Sequence, residues 1–169
     1  MKRGFTLIEL LVVVAIIGML SSVVLSSLNQ ARSGARDARR AQDIKQFQAA
    51  LELYYNDNNS YPVSGWAHSS GGTNWTNLQT ALSSYITSLP TDPINTAGGA
   101  GYNNDQYVYS YYASGYGGSG QWYMIIWELE NSNQAFEGTD GVTACNGQVF
   151  HYGSGTDGRV STGGTCAGQ

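Results

Sequence analysis

Residues 1–20 read MKRGFTLIELLVVVAIIGML, a basic tetrapeptide followed by the most apolar run of the chain, with one acid, Glu9, inside it. From Leu10 to Ala31 there are 22 residues without a charged side chain. As a helix rising about 1.5 Å per residue they extend roughly 33 Å, which matches a hydrocarbon core of about 30 Å. The segment is therefore expected to span a membrane, and Lys2 and Arg3 ahead of it favour a cytoplasmic N-terminus. A secretory signal has a shorter apolar core closed by a small-residue cleavage site. This run is longer, and no Ala-x-Ala pattern closes it. A cut at the junction of Gly4 and Phe5 would instead leave the apolar segment on the mature chain. Glu9 then needs an explanation. An acid at mid-membrane costs roughly 2.5–3.5 kcal/mol, less towards the end of a span, whereas the helix macrodipole returns only about 0.3–1 kcal/mol near an N-terminus.

Beyond Ala31 the apolar positions thin out but stay periodic, at Ala31, Ala35, Ala38, Ala41, Ile44, Phe47, Leu51 and Tyr54. Steps of three and four describe one helix face. No proline interrupts residues 5–61, so one helix is expected from about Phe5 to Tyr55, roughly 75 Å long. Its first part is apolar all round (5–31) and its second is amphipathic (32–55). Five of the eight basic residues lie between Arg32 and Lys45. This cluster reads as a solvated helix face, as a contact with anionic headgroups worth about 1 kcal/mol per Lys or Arg, or as a partner for acids of adjacent subunits. After Glu52 there are eight acids and one base, Arg159. That balance, with no aromatic platform among the arginines, argues against nucleic acid as a partner.

Residues 56–105 read as a polar connector carrying a short helix at Asn74–Ile86, where Trp75, Leu78, Leu82, Tyr85 and Ile86 keep helical spacing before Pro90 and Pro93 break it. Residues 106–169 hold the strand signals. Tyr107–Tyr112 and Trp122–Leu129 are aromatic and β-branched runs, separated by the glycine-rich stretch Gly115–Gly120. Gln148–Tyr152 is a third candidate, and Gly-Thr-Asp-Gly occurs at 138–141 and again at 155–158, each a turn signal. The expected architecture is α+β: one long N-terminal helix packed against an antiparallel sheet of three to four strands.

Cys145 and Cys166 enclose 20 residues. Outside the cytoplasmic membrane such a pair reads as a disulfide, contributing roughly 3 kcal/mol on the chain-entropy account. Two cysteines and His151 do not make a metal site. Asp140 and Asp157 are candidate oxygen ligands for calcium, although Asp-Gly turns account for them more simply. No catalytic frame surrounds His68 or His151, and no phosphate loop is present. The chain therefore reads as non-enzymatic, with no catalytic residue, no metal and no cofactor. Asn58-Asn59-Ser60 and Asn74-Trp75-Thr76 match the glycosylation sequon, a triplet that often arises by chance.

Gly4-Phe5-Thr6-Leu7-Ile8-Glu9-Leu10, set between a basic leader and a spanning helix, resembles the signature of type IV prepilins and type II secretion pseudopilins. The close match covers residues 1 to about 28, with a looser one through the helix to Asn56–Pro62. The resemblance implies removal of a leader (1–4) by a prepilin peptidase that cuts after Gly4, N-methylation of Phe5, and polymerisation into a filament. It further implies that Glu9 pairs with the new α-amino group of a neighbouring subunit, whose reference pKa is about 7.7–8.0. Many members carry a proline near the end of the apolar run, where this chain has Ser26 and Ser27. Type IV pilins commonly close their C-terminal region by a disulfide, whereas major pseudopilins tend to be shorter and to bind calcium in a C-terminal loop. The implied function is a structural subunit of a pilus-like filament. Its implied partners are copies of itself and related pilin subunits, the prepilin peptidase and N-methyltransferase, the inner-membrane assembly machinery and membrane lipid. The implied place is the cytoplasmic membrane, with the C-terminal part outside and later in a surface filament. Two alternatives stay open: a type II secretion pseudopilin acting in protein export, and a membrane-anchored binding module that never polymerises.

Overall fold

In the structure, a computed structural model, residues 6–98, 106–116, 118–131, 141–147, 149–151 and 158–164 are described. The chain forms two compact units, Met1–Ala35 and Arg36–Gln169. Helix α1 runs Leu7–Asn58. Within the first unit it carries the uncharged run, and it passes through Ser26-Ser27 as regular helix. Ser22 Oγ donates to Met19 O (2.8 Å) and Ser27 Oγ to Val23 O (3.1 Å), so these hydroxyls are satisfied on the helix's own backbone, as serines in apolar helices commonly are. At the other end Asn59 takes a left-handed conformation (φ 52°) and donates its N–H to Tyr55 O at 2.8 Å, an αL-type stop for which asparagine is second only to glycine.

In the second unit α1 is followed by β1 (Ala67–His68), α2 (Thr73–Leu82), β2 (Ser110–Tyr112), β3 (Trp122–Glu128), β4 (Gly141–Thr143), β5 (Val149–His151) and β6 (Gly158–Gly164). Strands β1, β2, β3 and β6 form one antiparallel sheet in that order, and β4 and β5 form a separate two-stranded sheet. The α+β expectation holds, with one long helix and a four-stranded antiparallel sheet. Three details differ. Gln148–Tyr152 yields β5, which pairs with β4 and stands outside the main sheet. The fourth strand of the main sheet is instead the glycine-rich β6, in register with β3 from Trp122↔Gly164 to Glu128↔Gly158. And the run Tyr107–Tyr109 stays out of the ladder. There Tyr109 N donates to Ser69 Oγ (2.9 Å) while Ser69 N donates to Tyr109 O (2.8 Å), so a side-chain hydroxyl takes a place that a carbonyl would hold in a strand pair.

The sheet's period of two sorts its side chains. Tyr109, Tyr111, Ala113, Tyr123, Ile125, Trp127 and Leu129 join Ile44, Phe47 and Leu51 of α1 and Trp75, Leu78 and Leu82 of α2 in one buried core. Trp122, Met124 and Ile126 face the other way, with Ala144 and the half-buried Trp66, Tyr112, Tyr116 and Cys145. Helix α2 is shorter than expected, but the turn after Leu82 returns Tyr85 N and Ile86 N to Leu82 O at 2.9 and 3.0 Å, so both side chains still pack on the core. β6 is glycine-rich for a steric reason. A Cβ on Gly163 would stand 2.5 Å from the Tyr123 ring, and one on Gly164 (φ +88°) would collide with the carbonyl of Gln121.

Candidate functional site

The first unit presents its apolar side chains outward. Leu7 is 80% exposed, Met19 74% and Leu28 43%. Among the described residues α1 is the one helix long and apolar enough to cross a membrane by length and composition. A Cβ on Gly18 would meet nothing within 4 Å beyond its own helix, so nothing inside the isolated chain requires a glycine there.

At the head of this helix Glu9 is not stranded. Thr6 N donates to Glu9 Oε2 at 2.8 Å, Thr6 Oγ1 donates to the same oxygen at 2.6 Å, and Glu9 N donates to Thr6 Oγ1 at 3.3 Å. This is a reciprocal capping box, which satisfies donors that a helix N-terminus otherwise leaves open. The Thr-x-x-Glu spacing of residues 6–9 was available as a signal for it, and an account by macrodipole alone misses the hydroxyl. Gly4 and Phe5, the expected cleavage and methylation sites, lie outside the described residues.

In the second unit the basic cluster of α1 divides: Arg39 and Lys45 are exposed, as on a solvated face, whereas Arg36 is half-buried and Arg40 is drawn inside. Arg40 is fully buried. Its Nε donates to Asp92 Oδ2 (2.6 Å), Nη2 to Asp92 Oδ1 (3.1 Å), and Nη1 to both Asp37 Oδ1 (2.6 Å) and Glu130 Oε1 (2.7 Å). Arg36 donates to Glu130 through Nε at 2.7 Å and also through Nη2. Asp37, also fully buried, accepts the backbone N–H groups of Glu130 (2.9 Å) and Asn131 (3.0 Å). The guanidinium of Arg40 lies 4.7 Å from the centre of the Tyr107 ring. Burial opposes the Arg40 charge, but Asp92, Glu130 and Asp37 together outweigh it and hold the group above its ordinary pKa. The Arg36 hydrogen bond is the main reason the Glu130 carboxyl stays below the usual carboxylate range. Three segments distant in sequence are thus tied to one turn of α1. The expected apolar stripe yields here: Ala35 and Ala38 are exposed while Asp37 and Arg40 are buried. The acids that meet these arginines belong to their own chain.

Tyrosine hydroxyls provide further ties. Tyr61 Oη donates to both oxygens of Glu52 (3.1 and 3.0 Å), Tyr109 Oη to Asp43 Oδ2 (3.0 Å) and Tyr111 Oη to Pro62 O (2.8 Å). His68 Nδ1 lies 2.7 Å from Ser110 Oγ. Burial pushes this imidazole below its ordinary pKa; His68 is half-buried and Ser110 fully buried, so the pair ties β1 to β2. Cys145 packs near Trp122; Cys166, Asp140 and Asp157 lie outside the described residues. The two sequon asparagines are engaged in the fold, Asn58 Nδ2 with Tyr54 O (2.9 Å) and Asn74 Nδ2 with Trp66 O (2.9 Å).

A family model described as the prokaryotic N-terminal methylation motif matches residues 1–25. The chain is similar to the type II secretion system core protein G of Pectobacterium carotovorum subsp. carotovorum, 41% identical over 61 residues, 36% of this chain and 39% of that protein. It is 40% identical over 62 residues to the protein of that name from Escherichia coli K12, 37% of this chain and 43% of the relative. With the Vibrio cholerae protein of the same name the identity is 35% over 95 residues, 54% of this chain and 65% of the relative. The chain thus spans about two fifths of the length of the first two relatives. No solved structure matches it.

Proposed function

We propose that the chain is a structural, non-enzymatic subunit of a pilus-like filament of the type IV pilin and type II secretion pseudopilin family, a reading supported by the methylation motif over residues 1–25 and the similarity to the core proteins G. In this reading it is cut after Gly4, methylated at Phe5 and polymerised through its apolar helix. The observation that carries the reading is the run of exposed apolar side chains from Leu7 to Leu28 on one helix. A surface of that kind on a protein needs a cover. Lipid provides one before assembly, since a helix satisfies its own backbone in a bilayer, and neighbouring helices provide another afterwards.

Glu9 serves both states. Its cap with Thr6 uses Oε2, and a carboxylate offers about four acceptor sites, so the α-amino group of a neighbour's Phe5 pairs with the same side chain once the leader is gone. Cys145 and Cys166 close the C-terminal region as a disulfide outside the cytoplasmic membrane. The partners are further copies of this chain, related pilin-like subunits, the prepilin peptidase and the inner-membrane assembly machinery, and no cofactor is called for. The relatives, by their names core proteins of type II secretion systems, favour a place in a type II secretion pseudopilus. The length and the cysteine pair favour a surface pilus.

Mass spectrometry of the mature protein tests the reading. The expected chain starts at N-methylated Phe5 and is recovered from sheared surface filaments. A chain that keeps Met1–Gly4 overturns it in favour of an anchored binding module, and one cut after Ser22 overturns it because the apolar helix is lost. Loss of surface filaments on deletion, against loss of protein export, separates pilus from pseudopilus.

A further inference from the structure

Between the end of α1, the connector after Tyr61 and α2 lies a cleft of about 300 Å³. It is lined by Tyr54, Val63, Ser64, Asn74, Asn77 and Leu78 among others, and every lining residue is uncharged. A volume of that size is at the lower end for small-molecule sites, so it suits one small ligand. Its chemistry narrows the class. A charged ligand would lose its hydration with no counter-charge in the lining to replace it. A purely apolar one would cover the Asn77 amide and the Asn74 Oδ1 without pairing them. What fits is a neutral molecule with one apolar face and several hydroxyl groups.

We infer that this cleft binds a single neutral sugar unit, its apolar face on Tyr54 and Val63 and its hydroxyls on Asn74, Asn77 and Ser64. The site is partly built in advance. The Asn74 amide is held by its own donor, Nδ2 to Trp66 O at 2.9 Å, which orients Oδ1 as an acceptor. Tyr54 is braced by Tyr85, ring centres 5.8 Å apart and nearly perpendicular. Val63 is 60% exposed at the rim, where a sugar face would cover it. Asn77 lines the cleft and is exposed, so its amide is open to a ligand hydroxyl. The cleft lies within residues 54–81, so the inference stands apart from processing and polymerisation, and either can fail alone.

The test uses the full-length chain in a zwitterionic detergent that carries no sugar, titrated with the methyl glycosides of glucose, galactose and N-acetylglucosamine and followed by NMR. At least one glycoside is expected to shift the resonances of residues 62–65 and α2, with a dissociation constant on the order of 1–10 mM for a ligand of so few atoms. A Cβ at Gly65 meets only Asn74 Nδ2, at 3.7 Å, so a side chain can start there; Gly65→Leu is expected to fill the cleft and abolish the shifts, with the melting temperature read alongside. Asn77→Leu, at an exposed position, weakens binding by about tenfold through the lost hydrogen bonds, and it carries the test if Gly65→Leu lowers the melting temperature. The inference is overturned if no glycoside shifts the cleft, if the shifts centre on Trp66, Tyr112 and Tyr116 instead, if they persist in both variants, or if galacturonate binds as well as the neutral sugars.

Discussion

Arg40 and Asp92 face each other with both side chains fully buried, Nε to Oδ2 at 2.6 Å and Nη2 to Oδ1 at 3.1 Å. The pairing is bidentate, the geometry in which a guanidinium matches a carboxylate best. Around it Asp37 and Glu130 complete a set of three acids for which Arg40 is the shared cation. The connector between α2 and β2 is thereby fastened to the helix through Asp92, and the end of β3 through Glu130.

Removing that cation leaves buried charge uncompensated, which typically costs about 3–5 kcal/mol. Arg40→Met in the full-length chain is therefore expected to destabilise by that amount, read as the shift of the chemical denaturation midpoint at constant slope. Arg40→Lys keeps the charge but not the fork and should fall between the two. An Arg39→Met variant is the control, because the Arg39 side chain is 65% exposed and its contact with Asp43 is 3.7 Å long. Exposed pairs are worth roughly 0–1 kcal/mol, so a loss at Arg39 equal to that at Arg40 would contradict the burial argument.

Gly163 and Gly164 are expected to resist even alanine. At Gly163 the added carbon meets the Tyr123 ring; at Gly164 it meets the Gln121 carbonyl on a left-handed backbone as well. Overpacking of this kind costs about 1–3 kcal/mol. Gly147→Ala has the same backbone sign (φ +83°) with nothing within 4 Å, so it isolates the conformational strain at about 1 kcal/mol. Melting temperatures ordered with Gly147→Ala below Gly164→Ala would be the wrong way round.

Glu9→Ala removes the cap and the proposed intersubunit partner together. Thr6→Ala removes only the hydroxyl of the cap, which is worth about 0.5–2 kcal/mol of helix stability. Both variants should remain in the membrane fraction. Filament yield after shearing should fall sharply for Glu9→Ala and only slightly for Thr6→Ala. Equal losses would make capping the whole role of Glu9.

Two groups set opposite ends of the acid response. The His68 imidazole is pushed below its ordinary value of 6.5 by burial, so the unfolded chain binds its proton first. Stability is complete above pH 6.5 and declines as the pH falls below it. Glu130 is held below its ordinary value of 4.5, chiefly by Arg36; its contribution is present above pH 4.5 and is lost as the pH falls through the folded value. Asp43 runs the other way, raised by burial, and offsets part of the Glu130 loss. Melting temperature is therefore expected to fall in two stages on acidification. His68→Asn should remove the first stage and leave the second; a first stage that survives in that variant would assign it elsewhere.

What the sequence by itself determined is a long apolar helix. A stretch of 22 uncharged residues favours leaving water whatever surrounds it, and the Thr6-x-x-Glu9 spacing is read by position along one helix. The strands β2 and β3 were legible for a similar reason, since aromatic and β-branched runs carry their own signal. Tertiary structure decided the rest. Arg39 and Arg40 are neighbours in a basic run, yet one is largely exposed and the other buried. A step of about 100° around the helix turns Arg40 towards acids 52 and 90 residues away in sequence, and no local pattern contains that distance. Strand β6 has a weak local signal because three of its seven residues are glycine; its pairing with β3 makes it a strand, and glycine stands at 163 because a Cβ there would meet the Tyr123 ring.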